Sequence, residues 1–241
     1  HVDTDHGKEF YNLPYLIKKN LPEKILIVGS GSGNDVAAAN RFNVNNIDAV
    51  EIDPIIAKLG FKYHPESPYS NENVSLEIGD ARTFIKNSKK NYDVIVYGLL
   101  DSQSNLSSKG GIRLDSYVYT VEALTESKNR LKNDGFIFIS FFVQTPEIGY
   151  KIFKMLEKAN GIKPIVLKSK TNNRYIFIGG KEEVNIQTNK LKYFKINKDI
   201  NGENFYDIDL STDDWPFLYM PSKVYPLTYL SIIIVLLVFS I

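Results

Sequence analysis

Lys24-Ile-Leu-Ile-Val-Gly-Ser-Gly-Ser-Gly33, the segment Asn34–Asn43 and then Asn46-Ile-Asp-Ala-Val-Glu-Ile-Asp53 together decide how this chain is read. Ile25–Val28 is a short apolar, β-branched run, which predicts a parallel strand buried on both faces. Gly29, Gly31 and Gly33 follow, with Ser30 and Ser32 between them. Glycine permits a tight strand-to-helix turn and lets a ligand come close to bare backbone. The helix-like Asn34–Asn43 leads to a second apolar run, Ile47–Ile52, with Glu51 near its end. An acid at that place can accept both hydroxyls of a ribose. A glycine-rich turn alone is a weak sign. The order strand, turn, helix, strand, acid predicts a nucleoside-binding βαβ unit, with a plain crossover as the alternative.

Working outward, Asp53-Pro54 opens a helix by the N-cap and N1 preferences, and Pro65 and Pro68 mark a loop over 61–73. Val74–Ile78 reads as a third strand ended by Gly79-Asp80, with a helix from Ala81. Tyr92–Tyr97 is a fourth strand, and Leu99–Ser116 a long Ser/Gly-rich loop, hence a suspected lid. Val121, Leu124 and Leu131 mark a helix closing at Asn133-Asp134-Gly135, before a fifth strand, Phe136–Phe142. Ile148, Ile152, Met155, Leu156 and Ala159 share one helical face, stopped by Gly161. Pro164–Leu167 and Tyr175–Ile178 fit a hairpin. The expectation is an α/β fold: a seven-stranded, mostly parallel sheet with an antiparallel C-terminal hairpin and helices on both faces. Residues 1–23 are expected to lead in from a longer N-terminal region and 24–224 to form the nucleoside-binding catalytic domain, with Lys181–Lys223 an irregular cover ending in Asp213-Asp214-Trp215-Pro216-Phe217.

Composition narrows the chemistry. The 241 residues carry 29 Lys and Arg against 28 Asp and Glu, so no nucleic-acid partner is indicated. With no cysteine there is no disulfide, thiolate metal site or cysteine nucleophile. His1, His6 and His64 are scattered, and no metal constellation is expected. Leu227–Ile241 is almost wholly apolar, with Tyr225, Tyr229 and Lys223 at its head. Its 15 residues reach about 22 Å as a helix, short of a roughly 30 Å hydrocarbon core. Residues 225–241 are read as a transmembrane helix interrupted by the end of the sequence, with a buried terminal helix as the alternative.

In an open α/β sheet, ligands bind beyond the carboxyl ends of the strands, where strand order reverses. The first four strand ends here supply Gly29–Gly33, Glu51, Asp80 and the Gly98–Asp101 turn. Asp53 and Asp80 also read as helix caps and Asp101 as a turn residue. Four such groups at four consecutive strand ends point to one crevice.

On these motifs the chain resembles the Rossmann-like class I S-adenosylmethionine-dependent methyltransferase fold, and within it the spermidine synthase (aminopropyltransferase) family. The matches are Gly29-Ser-Gly-Ser-Gly33, Glu51-Ile52-Asp53, Gly79-Asp80 and Gly98-Leu-Leu-Asp101, within a resemblance spanning about Phe10–Gly180. Tyr11-Asn-Leu-Pro-Tyr15 and Thr212-Asp-Asp-Trp-Pro-Phe217 look like features of membrane-embedded relatives. The resemblance implies transfer of an aminopropyl group from decarboxylated S-adenosylmethionine to a diamine such as putrescine, without a metal. It places the nucleoside against Gly29, Ser30, Gly31, Ser32, Gly33, Glu51, Ile52, Asp53, Asp80, Ala81 and Gly98. Glu51 would hold the ribose and Asp80 the adenine amino group, while Asp101 would bind the attacking amine and take its proton. A carboxylate within reach of an ammonium can do this, and a thioether leaving group needs no acid. Tyr11, Tyr15, Gln103, Asp213, Asp214 and Trp215 are the candidates for the diamine slot. A membrane-anchored enzyme facing the cytoplasm is implied, with a homodimer as one possible assembly.

The chain departs from the family pattern at three places. Ser32 stands where the family's glycine turn has an aspartate, Gly98 where the fourth strand has its first aspartate, and Ser102 where Asp-Pro would follow the base. A carboxylate in the turn favours an amine-bearing chain over intact S-adenosylmethionine. Its loss leaves Asn34 or Asp35 to compensate. A methyltransferase using intact S-adenosylmethionine and a non-catalytic nucleoside-binding module of a membrane protein are the alternatives.

Overall fold

The computed structural model describes residues 5–18, 20–98, 100, 117–201, 208–220, 222–224 and 227–239. Its strands are β1 (Lys24–Val28), β2 (Asn46–Glu51), β3 (Val74–Ile78), β4 (Tyr92–Tyr97), β5 (Leu131–Phe142), β6 (Ile165–Ser169), β7 (Arg174–Gly180) and β8 (Phe194–Ile196). The helices are α1 (Asp5–Leu16), α2 (Asn34–Arg41), α3 (Pro54–Tyr63), α4 (Ala81–Asn87), α5 (Val121–Asn129), α6 (Pro146–Asn160) and α7 (Leu227–Phe239). All eight strands join one sheet in the order β3-β2-β1-β4-β5-β7-β6-β8. The first five run parallel, and β7, β6 and β8 pair antiparallel. Sequence order reverses between β1 and β4, the place where α/β sheets open a crevice.

Side-chain alternation along β1 shows why the strand is apolar throughout. Leu26 and Val28 enter one core with Leu124, Ile152 and Leu156, while Ile25 and Ile27 enter the other with Phe10, Leu13 and Val36. A strand covered on both faces has no residue to spare for water. α1 contributes Phe10, Leu13 and Ile17 to that second core, so the leading segment packs against the same sheet as the rest.

The structure differs from the sequence reading at three places. An eighth strand, β8, lies within the segment expected to be irregular, its Phe194 buried and paired to Ser169. Three residues carry too little periodicity to be seen beforehand. α5 ends at Asn129, and β5 begins at Leu131 rather than Phe136. Leu131 is buried against Tyr92, and a Cβ on Gly135 would lie 2.7 Å from the Tyr92 carbonyl oxygen. Gly135 thus admits a close strand approach instead of capping a helix.

The third difference concerns the C-terminal run. α7 has 13 residues, about 20 Å of helix, and no described helix is long and apolar enough to cross a membrane. A transmembrane helix interrupted by the end of the sequence is expected to be short, so this length leaves that reading standing as a proposal. The difference lies in the buried alternative, which fails because no residue of α7 is buried and Leu227 and Phe239 are 79 % and 86 % exposed.

Candidate active site

The carboxyl ends of β3, β2, β1 and β4 are adjacent and parallel, and they deliver Gly79-Asp80, Glu51, Gly29–Gly33 and Gly98 to one edge. Backbone bonds continue past the strands and stitch these ends together. The Gly79 amide donates to the Glu51 carbonyl (2.9 Å), Ser30 to Val50 (2.9 Å), and Gly98 to Val28 (3.3 Å).

The turn after β1 is left-handed at Gly29, Gly31 and Gly33, with φ of 67°, 56° and 99°. L-residues with a Cβ rarely hold such angles. A side chain at Gly29 would overlap Leu100, and one at Gly33 would lie 2.6 Å from Pro68 Cγ. Among the described residues nothing lies within 4 Å of where a Cβ on Gly31 would stand. Bare backbone facing open space suits the close approach of a ligand, and it is Gly31 that presents it.

Glu51 holds this turn in place. Its carboxylate is buried; Oε2 accepts the Gly31 amide at 2.6 Å and Oε1 the Asp53 amide at 2.9 Å. Each oxygen keeps a second lone pair, so the same carboxylate can also accept two ribose hydroxyls. Asp53 caps α3 through the Ile55 amide (2.7 Å), and Asp80 caps α4 through the Thr83 amide (2.7 Å). The capping roles expected of both are therefore present, each engaging Oδ1. Ile52 is half exposed beside Glu51, and Ala81 is the first residue of α4.

Three residues that sequence reasoning did not single out complete the surroundings. Tyr69 donates its hydroxyl to the Gly31 carbonyl (2.7 Å) and lies 2.9 Å from the Ser30 hydroxyl. Burial pushes that phenol up to about 12, so it remains a neutral donor. His64 Nδ1 accepts the Glu66 amide at 3.2 Å, leaving Nε2–H for the Asn34 carbonyl oxygen at 3.2 Å. Burial lowers this imidazole below its ordinary value and keeps it neutral. Arg174, at the start of β7, lies over the Phe10 ring at 4.0 Å, and its Nε is buried with no hydrogen-bond partner among the described residues. The only advance sign of Tyr69 and His64 was two ring side chains inside a proline-marked loop.

Of the expected diamine residues, Tyr11 reaches the site. It hydrogen-bonds Asn34 at the start of α2, and burial followed by the charge of Asp35 pushes its phenol up to about 12. Tyr15 does not belong to a slot: it is buried in the core and stacked on Phe42 with ring centroids 5.0 Å apart. Asp213 is already committed. Arg82 grips it through two bonds of 2.6 and 2.7 Å, Thr120 adds one of 2.8 Å, and Arg82 also bonds Glu126 at 2.8 Å. The guanidinium holds Asp213 below the usual carboxylate range. Both oxygens thus serve the fold, and the diamine role expected of Asp213 is not supported. Trp215 closes the turn by a backbone bridge to Thr212 and packs 4.8 Å from Phe217, with Asp214 exposed beside it. Asp101 and Gln103, with every other residue of the suspected lid except Leu100, lie outside the described residues. Among the described residues no group of three His, Asp or Glu side chains is placed to hold a metal.

Comparison with known proteins bears on what such an edge is. The chain is 28 % identical over 180 residues to polyamine aminopropyltransferase 2 of Aquifex aeolicus, covering 70 % of this chain and 35 % of that protein. It spans about a third to a half of the length of the curated relatives it matches first. A spermidine synthase solved with the transition-state analogue AdoDATO superposes with a TM-score of 0.59 at 18 % identity, over 92 % of this chain and 71 % of that one. Human methyltransferase-like protein 13, solved with SAH, gives 0.59 at 20 % identity over 74 % and 82 %. The two structural likenesses establish the fold and do not choose between chemistries. The family model described as the spermine/spermidine synthase domain matches residues 9–171. With well over half of its length inside that match, this chain belongs to the spermine/spermidine synthase family.

Proposed function

We propose that the chain is an aminopropyltransferase domain that joins an aminopropyl group from decarboxylated S-adenosylmethionine to a diamine such as putrescine. The observation that carries the reading is Glu51: a buried carboxylate at the end of β2, bonded to the Gly31 amide, beside open backbone, next to the strand at which order reverses. The ribose lies on Glu51, the sulfonium chain along Gly29–Gly33, and the adenine toward Asp80. The acceptor amine attacks the carbon next to the sulfonium. A C–N bond forms, the C–S bond breaks with its electron pair leaving on sulfur, and Asp101 takes the proton lost by nitrogen. Tyr69 stays protonated and fixes the Gly31 carbonyl, so the turn holds its shape as the charge on sulfur disappears.

Product identity tests this directly. Incubated with putrescine and decarboxylated S-adenosylmethionine, the chain is expected to release methylthioadenosine and spermidine, detected by mass spectrometry. Asp101→Asn abolishes both. S-adenosylhomocysteine from intact S-adenosylmethionine would establish methyl transfer instead.

Membrane attachment through residues 225–241 is part of the same proposal. α7 is apolar on every side and exposed, and a helix without a polar face is at odds with water. Flotation with lipid vesicles, with and without 225–241, tests it: loss of flotation on deletion is expected, and equal flotation refutes it.

A further inference from the structure

Among the described residues Asp35 is a carboxylate without an ion-pair partner. It sits in the first turn of α2, half-buried, directly after the glycine turn. Its Oδ2 would lie 3.0 Å from a Cβ built on Gly98, with the Gly29 carbonyl oxygen 3.4 Å from the same point. The carboxylate therefore occupies the space that a side chain at the end of β4 would fill, between the ends of β1 and β4. Among the described residues no lysine, arginine or histidine forms an ion pair with it. Arg174 is near enough for its charge to be felt, yet it stays over the Phe10 ring. Burying a carboxylate without a partner is costly, and folded proteins rarely retain one without a use.

We propose that Asp35 is the specificity residue of this site, binding the primary ammonium at the end of the nucleoside's sulfonium chain and repelling a carboxylate there. The inference rests on the aminopropyltransferase reading and adds to it the group that tells an amine-ended chain from an amino-acid-ended one. Bare Gly98 is what makes the room, and Tyr11, bonded to Asn34, is near enough for the charge of Asp35 to act on its phenol. Burial, opposed by Arg174, pushes the Asp35 carboxyl up to about 7, as expected of an anion that lacks its counter-charge. The other titratable groups facing it are Tyr11 and Tyr15 from α1, Tyr69 from the turn after α3, and Arg174 from β7. The three phenols are raised and the guanidinium stays charged, so Asp35 alone among them titrates between pH 5 and 9.

Calorimetry with decarboxylated S-adenosylmethionine, methylthioadenosine and intact S-adenosylmethionine tests this. Methylthioadenosine has the nucleoside without the amine. The wild-type chain is expected to prefer the decarboxylated form at least tenfold over either of the others at pH 8, a charge-assisted contact being worth that much. In Asp35→Asn the preference over methylthioadenosine falls to near unity. In the double variant Asp35→Ala with Gly98→Asp it returns, because the new carboxylate enters the same space. A wild-type preference that survives in Asp35→Asn overturns the inference and leaves the nucleoside site standing. Failure of all three nucleosides to bind the folded wild-type chain overturns the underlying functional reading instead.

Discussion

Two carboxylates border the same sheet edge and are treated in opposite ways. Asp213 is held by Arg82 and Thr120, with Glu126 on the same guanidinium, so charges there neutralise one another. Asp35, between the ends of β1 and β4, has no such partner among the described residues and shares its space with a glycine. The sheet's other end resembles the Asp213 side. There Asp93 accepts the Glu23 and Lys24 amides and pairs with Lys132 at 2.8 Å on the wall of a hollow. Satisfied acids build the scaffold. The unsatisfied one marks where a cation belongs.

Removing the shared guanidinium is the severest way to break the comparison. Arg82→Met leaves Asp213 and Glu126 without their cation and is expected to cost about 2–3 kcal/mol in urea unfolding, discounted because Asp213 is partly exposed. Next comes the turn itself. Gly33→Ala meets both a left-handed φ and Pro68, and should cost about 2 kcal/mol or more. Gly31→Ala, strained but unobstructed, should cost about 1 kcal/mol while weakening methylthioadenosine binding by more than tenfold. Equal effects of the two on stability and on binding would remove Gly31 from the ligand's path.

The acids themselves should then part company in their pH dependence. Asp35 is raised in the folded state, so its ionisation opposes folding, and that penalty grows as pH rises from about 4 through about 7. Asp35→Asn is therefore expected to stabilise the chain by about 1 kcal/mol at pH 8, allowing for half-exposure, and by nothing below pH 4. Asp213 is lowered, so its contribution is present above its unfolded value and is lost as pH falls through the folded one. Asp213→Asn should be the mildest change, costing about 0.5–1 kcal/mol at pH 7 with the difference closing in acid. Thermal melts of both variants from pH 3 to 8 should show these opposite slopes.

Much of this edge was legible beforehand because backbone rules write themselves into local sequence. Alternating Gly29, Gly31 and Gly33 between two apolar runs left few geometries, and all three adopt the left-handed backbone that only glycine takes readily. Glu51 was found for the same reason, standing at the end of the second run. What escaped depends on partners distant in sequence. Tyr69 matters because it reaches a carbonyl 38 residues away, and Asp213 became structural because Arg82 lies 131 residues before it. Tyr15 and Tyr11 belong to one short motif, yet one turned into the core and the other toward α2, a choice set by the packing of α1 rather than by spacing. The substitutions at Ser32 and Gly98 read as losses one at a time. With Asp35 in the space beside Gly98, the two together read as a relocation of charge.

A crystal structure of the chain soaked with decarboxylated S-adenosylmethionine is the most direct test of a nucleoside site on this edge. The expected result is both ribose hydroxyls within about 3 Å of the Glu51 carboxylate, the sulfonium chain passing Gly31, and its ammonium on Asp35. A nucleoside bound elsewhere, or one on this edge with its ribose away from Glu51, would contradict it.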